Sequence, residues 1–154
     1  EALDYERFTL YTVGPIQKKF DVFVDMIKNE TRDGQPLKND PYVRKTVAQL
    51  STDLETTIML QRRVIAAACK GGVPTVEAAM CKLYSTQLGQ RLANAALEIL
   101  GPTGMLHEGV EHAPVDGKWE HSLRATALDT IGGGTSEVQK NIIARRGLEL
   151  PLVM

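Results

Sequence analysis

Aromatic residues are scarce, 5% of 154 positions, and there are only two cysteines. So few aromatics suit a core of interlocking aliphatic side chains on helices. Two cysteines cannot build the disulfide framework of a small secreted scaffold. Cys69 and Cys81 lie on apolar helical stretches separated by a turn signal, so reduced core thiols are expected. Excess charge of either sign is also missing: 18 Lys and Arg face 19 Asp and Glu, a formal net charge of −1. That gives no footprint for nucleic acid and no attraction to an anionic membrane. No apolar run approaches the roughly 20 residues of a membrane span, and no signal peptide is visible. Period-two alternation is absent throughout, so strands are not expected. The chain opens on Glu1 rather than Met, which suggests a fragment or a processed product.

What is present is helical periodicity. Val13, Ile16, Phe20, Phe23 and Ile27 recur on one face and predict a helix to about Asn29, kinked or restarted at Gly14-Pro15. Residues 31–40, polar with Gly34 and Pro36, read as a connecting loop. Asp40-Pro41 is an N-cap followed by proline in the first turn, opening a second helix. Its buried stripe is expected to be Val43, Val47, Leu50, Leu54, Ile58 and Ile65, ending at Gly71-Gly72. A third helix from Pro74-Thr75 to Gly101 carries Val76, Met80, Leu83, Leu88, Leu92, Ala95 and Ile99. A Gly- and Pro-rich loop then leads to a shorter helix around Trp119, Leu123 and Ala127, and to a last helical run ending at Leu148. The expected fold is all-α, an up-and-down antiparallel helical bundle, with residues 1–154 forming one domain.

The most informative stretch is Ile-Gly-Gly-Gly-Thr-Ser-Glu-Val-Gln at 131–139. Three glycines let a ligand approach the backbone closely and permit positive φ. Ser136 and Gln139 stand at capping-box spacing, and the helix start would favour an anionic or carbonyl-rich ligand. Such a turn is by itself also how many helices simply begin. The wording that follows is specific: Lys-Asn-Ile-Ile-Ala-Arg-Arg-Gly-Leu-Glu-Leu-Pro, ending at Pro151. Together the two stretches resemble the end of acyl-CoA dehydrogenases, with their Gly-Thr-Ser-x-x-Gln turn and Asn-Ile-Ile-Ala-x-Arg helix. The resemblance covers the whole helical layout, which is that of the family's C-terminal domain. Its N-terminal helical domain and β-domain would lie before Glu1. The family binds flavin and thioester between the β-domain and this bundle, so the chain would supply half of an active site.

That resemblance implies α,β-dehydrogenation of an acyl-CoA thioester, with FAD as cofactor and an electron-transferring flavoprotein as acceptor. Many members place the base two residues before the Thr of the glycine turn, which here is Gly133. Another branch places it in the opening helix, just before an Arg. Leu-Asp-Tyr-Glu-Arg at 3–7 matches that segment and makes Glu6 the candidate base, with Asp4, Tyr5 and Arg7 towards the acyl-CoA. The bland alternative for Glu6 is a charge complementing a helix end. Arg7 could equally be a solvated surface charge. By the same resemblance Gly134 lies beside the thioester, and Thr135, Ser136 and Glu137 near the flavin. Glu98 and Gly101 match a Gln-x-x-Gly-Gly segment that meets flavin dinucleotide from a neighbouring subunit, but with Glu for Gln and Pro102 for the second Gly. Arg32 only approximates the family's loop arginine, and Asp33 replaces its aromatic.

Other motifs read more blandly. His107, Glu108, Glu111 and His112 could pair as metal ligands on a helix, but Gly104, Gly109 and Pro114 argue for a solvated loop, and no metal site is expected. Arg62-Arg63 and Arg145-Arg146 complement helix C-termini, with a CoA phosphate as the alternative partner. The family implies homo- or hetero-oligomers and a cytoplasmic location, or the mitochondrial matrix in a eukaryote. A heteromeric dehydrogenase subunit and a non-catalytic assembly bundle both stay open.

Overall fold

The computed structural model describes residues 13–151. The architecture is all-α: α1 Val13–Asn29, α2 Pro41–Cys69, α3 Thr75–Leu100, α4 Lys118–Ile131 and α5 Ser136–Ile142. Four side-chain contacts set the direction of α2 against α3. Tyr42 at the start of α2 meets Glu98 at the end of α3, Asp53 meets Tyr84 and Arg91, and Arg63 meets Glu77. The order is reversed along the two helices, so they run antiparallel. Lys82 reaching Thr130, with Thr126 beside Gly89, sets α4 antiparallel to α3 in the same way.

α3 is the central helix because its residues are small where neighbours cross. Ala78, Ala79, Ser85, Gly89, Ala93 and Ala96 are buried and let α1, α2 and α4 approach on different sides. A Cβ added at Gly89 would lie 3.7 Å from Ile16 Cδ1 and 3.9 Å from Thr126 Cγ2. Among the described residues the hydrophobic core is aliphatic except around Phe23, which is fully buried and meets Trp119 edge-on at 5.8 Å between ring centroids. That contact fixes α1 to the start of α4.

Asp40 opens α2 as expected, its carboxylate accepting from the Tyr42 N–H at 2.8 Å with Pro41 in the first turn. The stripe on α2 drifts from the expected one: Val64 is fully buried and Ile65 is 45% exposed. Val43, Leu50, Thr57 and Val64 lie seven residues apart, the spacing of a helix-on-helix seam. On α3, Val76, Met80 and Leu83 are only half-buried, and Ala127 of α4 is exposed, because smaller residues occupy the tighter crossings. The loop at 31–40 holds a short antiparallel hairpin, β1 Thr31–Arg32 with β2 Gln35–Pro36. An Asp-Gly turn is a hairpin signal, and Asp33 adopts φ +52°.

Arg62 and Arg63 do not sit in the last turn of α2, and Arg63 instead lies 3.9 Å from Glu77. Cys81 is buried, which pushes its thiol up to about 11, whereas Cys69 is exposed rather than a core thiol; neither is bridged. No helix among the described residues is long and apolar enough to cross a membrane.

Candidate active site

The glycine turn lies between α4 and α5. Gly133 and Gly134 take φ +67° and +102°, left-handed conformations that strain any residue with a Cβ. Thr135, not Ser136, is the N-cap of α5: its Oγ1 accepts from the Val138 N–H at 3.3 Å. The capping frame is therefore one residue earlier than expected, and Ser136 is the first helical residue. This also frees Gln139 from a capping role. Its fully buried side chain turns back and donates from Nε2 to the carbonyls of Gly133, at 3.2 Å, and Gly134, at 3.0 Å.

A second group holds the turn from below. Lys82 on α3 is 1% exposed, and its Nζ donates to Gly134 O at 2.8 Å and Thr130 O at 3.3 Å. A buried ammonium is costly unless its protons are satisfied, and the carbonyl ends of α4 and of the turn supply acceptors of suitable sign. Sequence reasoning missed Lys82 because lysine is normally exposed. A signal was available: its helical-face neighbours Ala78, Ala79, Ser85 and Thr86, three and four residues away, are all small.

The turn's outer rim is partly open, with Gly132 to Ser136 each half-buried. Leu128, Ile131 and Val138 around it are exposed at 72%, 61% and 43%. The Glu137 carboxyl is held below its ordinary value, chiefly by its own backbone N–H and then by the Thr135 hydroxyl, with Lys140 and Lys82 adding attraction. The run after α5 continues as a π turn, Ile143–Gly147, rather than as α-helix to Leu148. It places Arg145 and Arg146 beside Asn141, Ile142 and Leu150 in an open groove of about 450 Å³.

The remaining candidates divide into two groups. Gly134, Thr135, Ser136 and Glu137 are brought together on the turn. Arg32 instead pairs with Asp40 at 2.6 Å, and Glu98 accepts the Tyr42 phenol proton at 2.8 Å, which raises that phenol's pKa. Gly101 closes α3 with φ +65°, its N–H donating to Leu97 O. Glu6, Asp4, Tyr5 and Arg7 lie outside the described residues. The segment at 107–112 is not helical, with His112 at φ +65°, so its His and Glu residues do not share a helix face. Among the described residues no three His, Cys, Asp or Glu side chains converge as metal ligands.

The described residues form an all-α bundle whose glycine turn is held from inside by Lys82 and Gln139 and rimmed by exposed apolar side chains. Residues 1–148 match the acyl-CoA dehydrogenase C-terminal domain, and the chain belongs to that family. It is similar to acyl-CoA dehydrogenase FadE26 of Mycobacterium tuberculosis (strain ATCC 25618 / H37Rv), 27% identical over 97% of this chain and 38% of the relative. It is similar also to the mitochondrial isovaleryl-CoA dehydrogenase of Solanum tuberosum, 29% identical over 94% of this chain and 34% of the relative. Among solved structures, the ChsE4–ChsE5 complex from Mycobacterium tuberculosis is 26% identical with a TM-score of 0.80, covering 93% of this chain and 36% of that one. The chain thus spans little more than a third of the length of the curated relatives it matches.

Proposed function

We propose that this chain is the C-terminal bundle of an FAD-dependent acyl-CoA dehydrogenase and that it supplies one wall of the active site. The observation that carries the reading is the glycine turn, held from inside by Lys82 and Gln139 while its outer rim stays open beside apolar residues. In this reading Glu6 removes the α-proton of the thioester, because the family's other base position is Gly133 and carries no carboxylate. Asp4, Tyr5 and Arg7 bind the acyl-CoA, and Gly134 lets the thioester come close to the backbone. Excluding water around Glu6 would raise its proton affinity, and donors at the carbonyl would stabilise the enolate-like charge.

The residues present fit FAD unevenly. At the turn they fit: no Cβ blocks approach at 132–134, and the Gly134 carbonyl is drawn inwards. A trans peptide then directs the Thr135 N–H away from Lys82. Thr135, Ser136 and Glu137 would hold the cofactor there. At Arg32 and Glu98 the fit is poor, since Arg32 is neutralised by Asp40 and the Glu98 carboxylate would repel a phosphate. Hydride acceptance is the chemistry FAD would supply at this site.

Purified by itself, the 154-residue chain is expected to be colourless and to bind FAD weakly, because most contacts to the isoalloxazine would come from the family's β-domain. Absorbance of the purified chain tests this. Stoichiometric yellow flavin would instead make the bundle a cofactor domain in its own right and restore Arg32 and Glu98 as contacts.

A second reading is favoured by those same two side chains. With Arg32 and Glu98 held in pairs within the bundle, a different subunit would complete the dinucleotide site, making this a component of a heteromeric dehydrogenase. The ChsE4–ChsE5 neighbour is a complex of two different chains. The family implies an electron-transferring flavoprotein as the acceptor in either reading.

A further inference from the structure

We infer that Lys82 is a positioning residue: with Gln139 it holds the glycine turn in the one conformation that presents its outer face to a bound thioester. The link from turn to chemistry rests on the reading above; the clamp itself stands on geometry. Successive glycines at 132–134 are the most permissive backbone in the chain, and left alone they would sample many turns. Two side chains remove that freedom. Lys82 Nζ reaches Gly134 O at 2.8 Å and Gln139 Nε2 reaches the same oxygen at 3.0 Å. One carbonyl thus accepts from two buried donors, one of them charged, which is stronger than a neutral pair. The Lys82 bond to Thr130 O ties the same ammonium to the last turn of α4, and Gln139 Nε2 also holds Gly133 O. Carbonyls from both sides of the turn therefore converge on Lys82 and Gln139. With the 134 carbonyl fixed inwards, the following amide is fixed outwards. Slippage of this turn by an ångström would misplace whatever docks on it, a displacement worth on the order of 100-fold in rate.

A merely structural lysine would stabilise the whole bundle, whereas a positioning one acts on a few amides and on one kinetic step. The test is Lys82→Met in the intact protein, which keeps the length of the side chain and removes its charge. Hydrogen exchange of the amides at 132–138 should accelerate about tenfold or more while α2 and the rest of α3 keep wild-type protection. Single-turnover reduction of bound flavin by acyl-CoA should slow roughly 10- to 100-fold, with the thioester's KM changing far less than kcat. Lys82→Arg, which restores the charge and donors, should recover part of both. Unchanged exchange at 132–138 overturns the clamp, whatever the activity. A loosened turn with wild-type single-turnover kinetics overturns the positioning role and counts against the turn as part of the site. Should wild type reduce no flavin at all, the dehydrogenase reading fails while the exchange data still decide the clamp. If Lys82→Met does not fold, Gln139→Leu removes the other donor without touching a charge, and the same amides decide.

Discussion

Glu6→Gln in the complete enzyme is expected to slow acyl-CoA oxidation by about 10²–10⁴-fold, the range for losing a general base. The upper end applies, because a thioester α-proton is so weakly acidic that no solvent species substitutes at neutral pH. Glutamine keeps the size of the side chain and its hydrogen bonding, so acyl-CoA affinity should change little. The loss then falls on kcat rather than KM, the pattern of an interaction made only in the transition state. Gly133→Glu would place a carboxylate at the family's alternative position, and the fold sets a cost on it. Gly133 sits at φ +67°, where a side chain is strained by roughly 1–2 kcal/mol. The double variant should regain part of the rate at reduced thermal stability. Full rate in Glu6→Gln alone would remove Glu6 from the chemistry and move the base outside this chain.

Gly117→Ala carries the largest expected effect on stability. A Cβ there would lie 2.3 Å from the Glu108 backbone nitrogen and 2.4 Å from the His107 carbonyl carbon, and φ is +68°. Both obstacles are backbone, so no side-chain rotation relieves the clash. Overpacking costs about 1–3 kcal/mol and the left-handed conformation about 1–2 more. The sum, about 3 kcal/mol or more, corresponds to a Tm lower by roughly 6–12 °C for a chain of this size. Gly109→Ala is the matched control: φ is +83° with open space around the added carbon, so only the conformational strain remains. Thermal unfolding of the two variants side by side checks this. Equal, small shifts would mean that the loop at 107–108 does not pack against the start of α4.

What was legible in the sequence is what local chemistry dictates. The Asp40-Pro41 cap, the burial of Phe23 and the order of helices follow from periodicity and capping chemistry, which act over a few residues. The glycine turn was located, but its internal support was not. Thr135 and Ser136 both offer a hydroxyl three residues before another polar or helical position, and local spacing cannot say which one caps. Gln139 then looks like half of a capping box, when tertiary burial has turned it towards the carbonyls of the turn. Lys82 is separated from Gly134 by 52 residues, so no local pattern connects them. Ile65 was misplaced for a simpler reason: over 29 residues of α2, a small error in period accumulates until Val64 faces the core instead. Glu6 is different again, since its assignment comes from the family's wording and from the absence of a carboxylate at Gly133.

The most direct test of an active-site wall built on this bundle is anaerobic mixing of the assembled wild-type protein with one equivalent of acyl-CoA, drawn from straight and branched chains, while the oxidised flavin band is followed. The account predicts bleaching within a single turnover by at least one thioester and, with Glu6→Gln, the same amplitude reached about 100-fold or more slowly. A flavin that stays oxidised with every thioester, or bleaches equally fast in the variant, would contradict it.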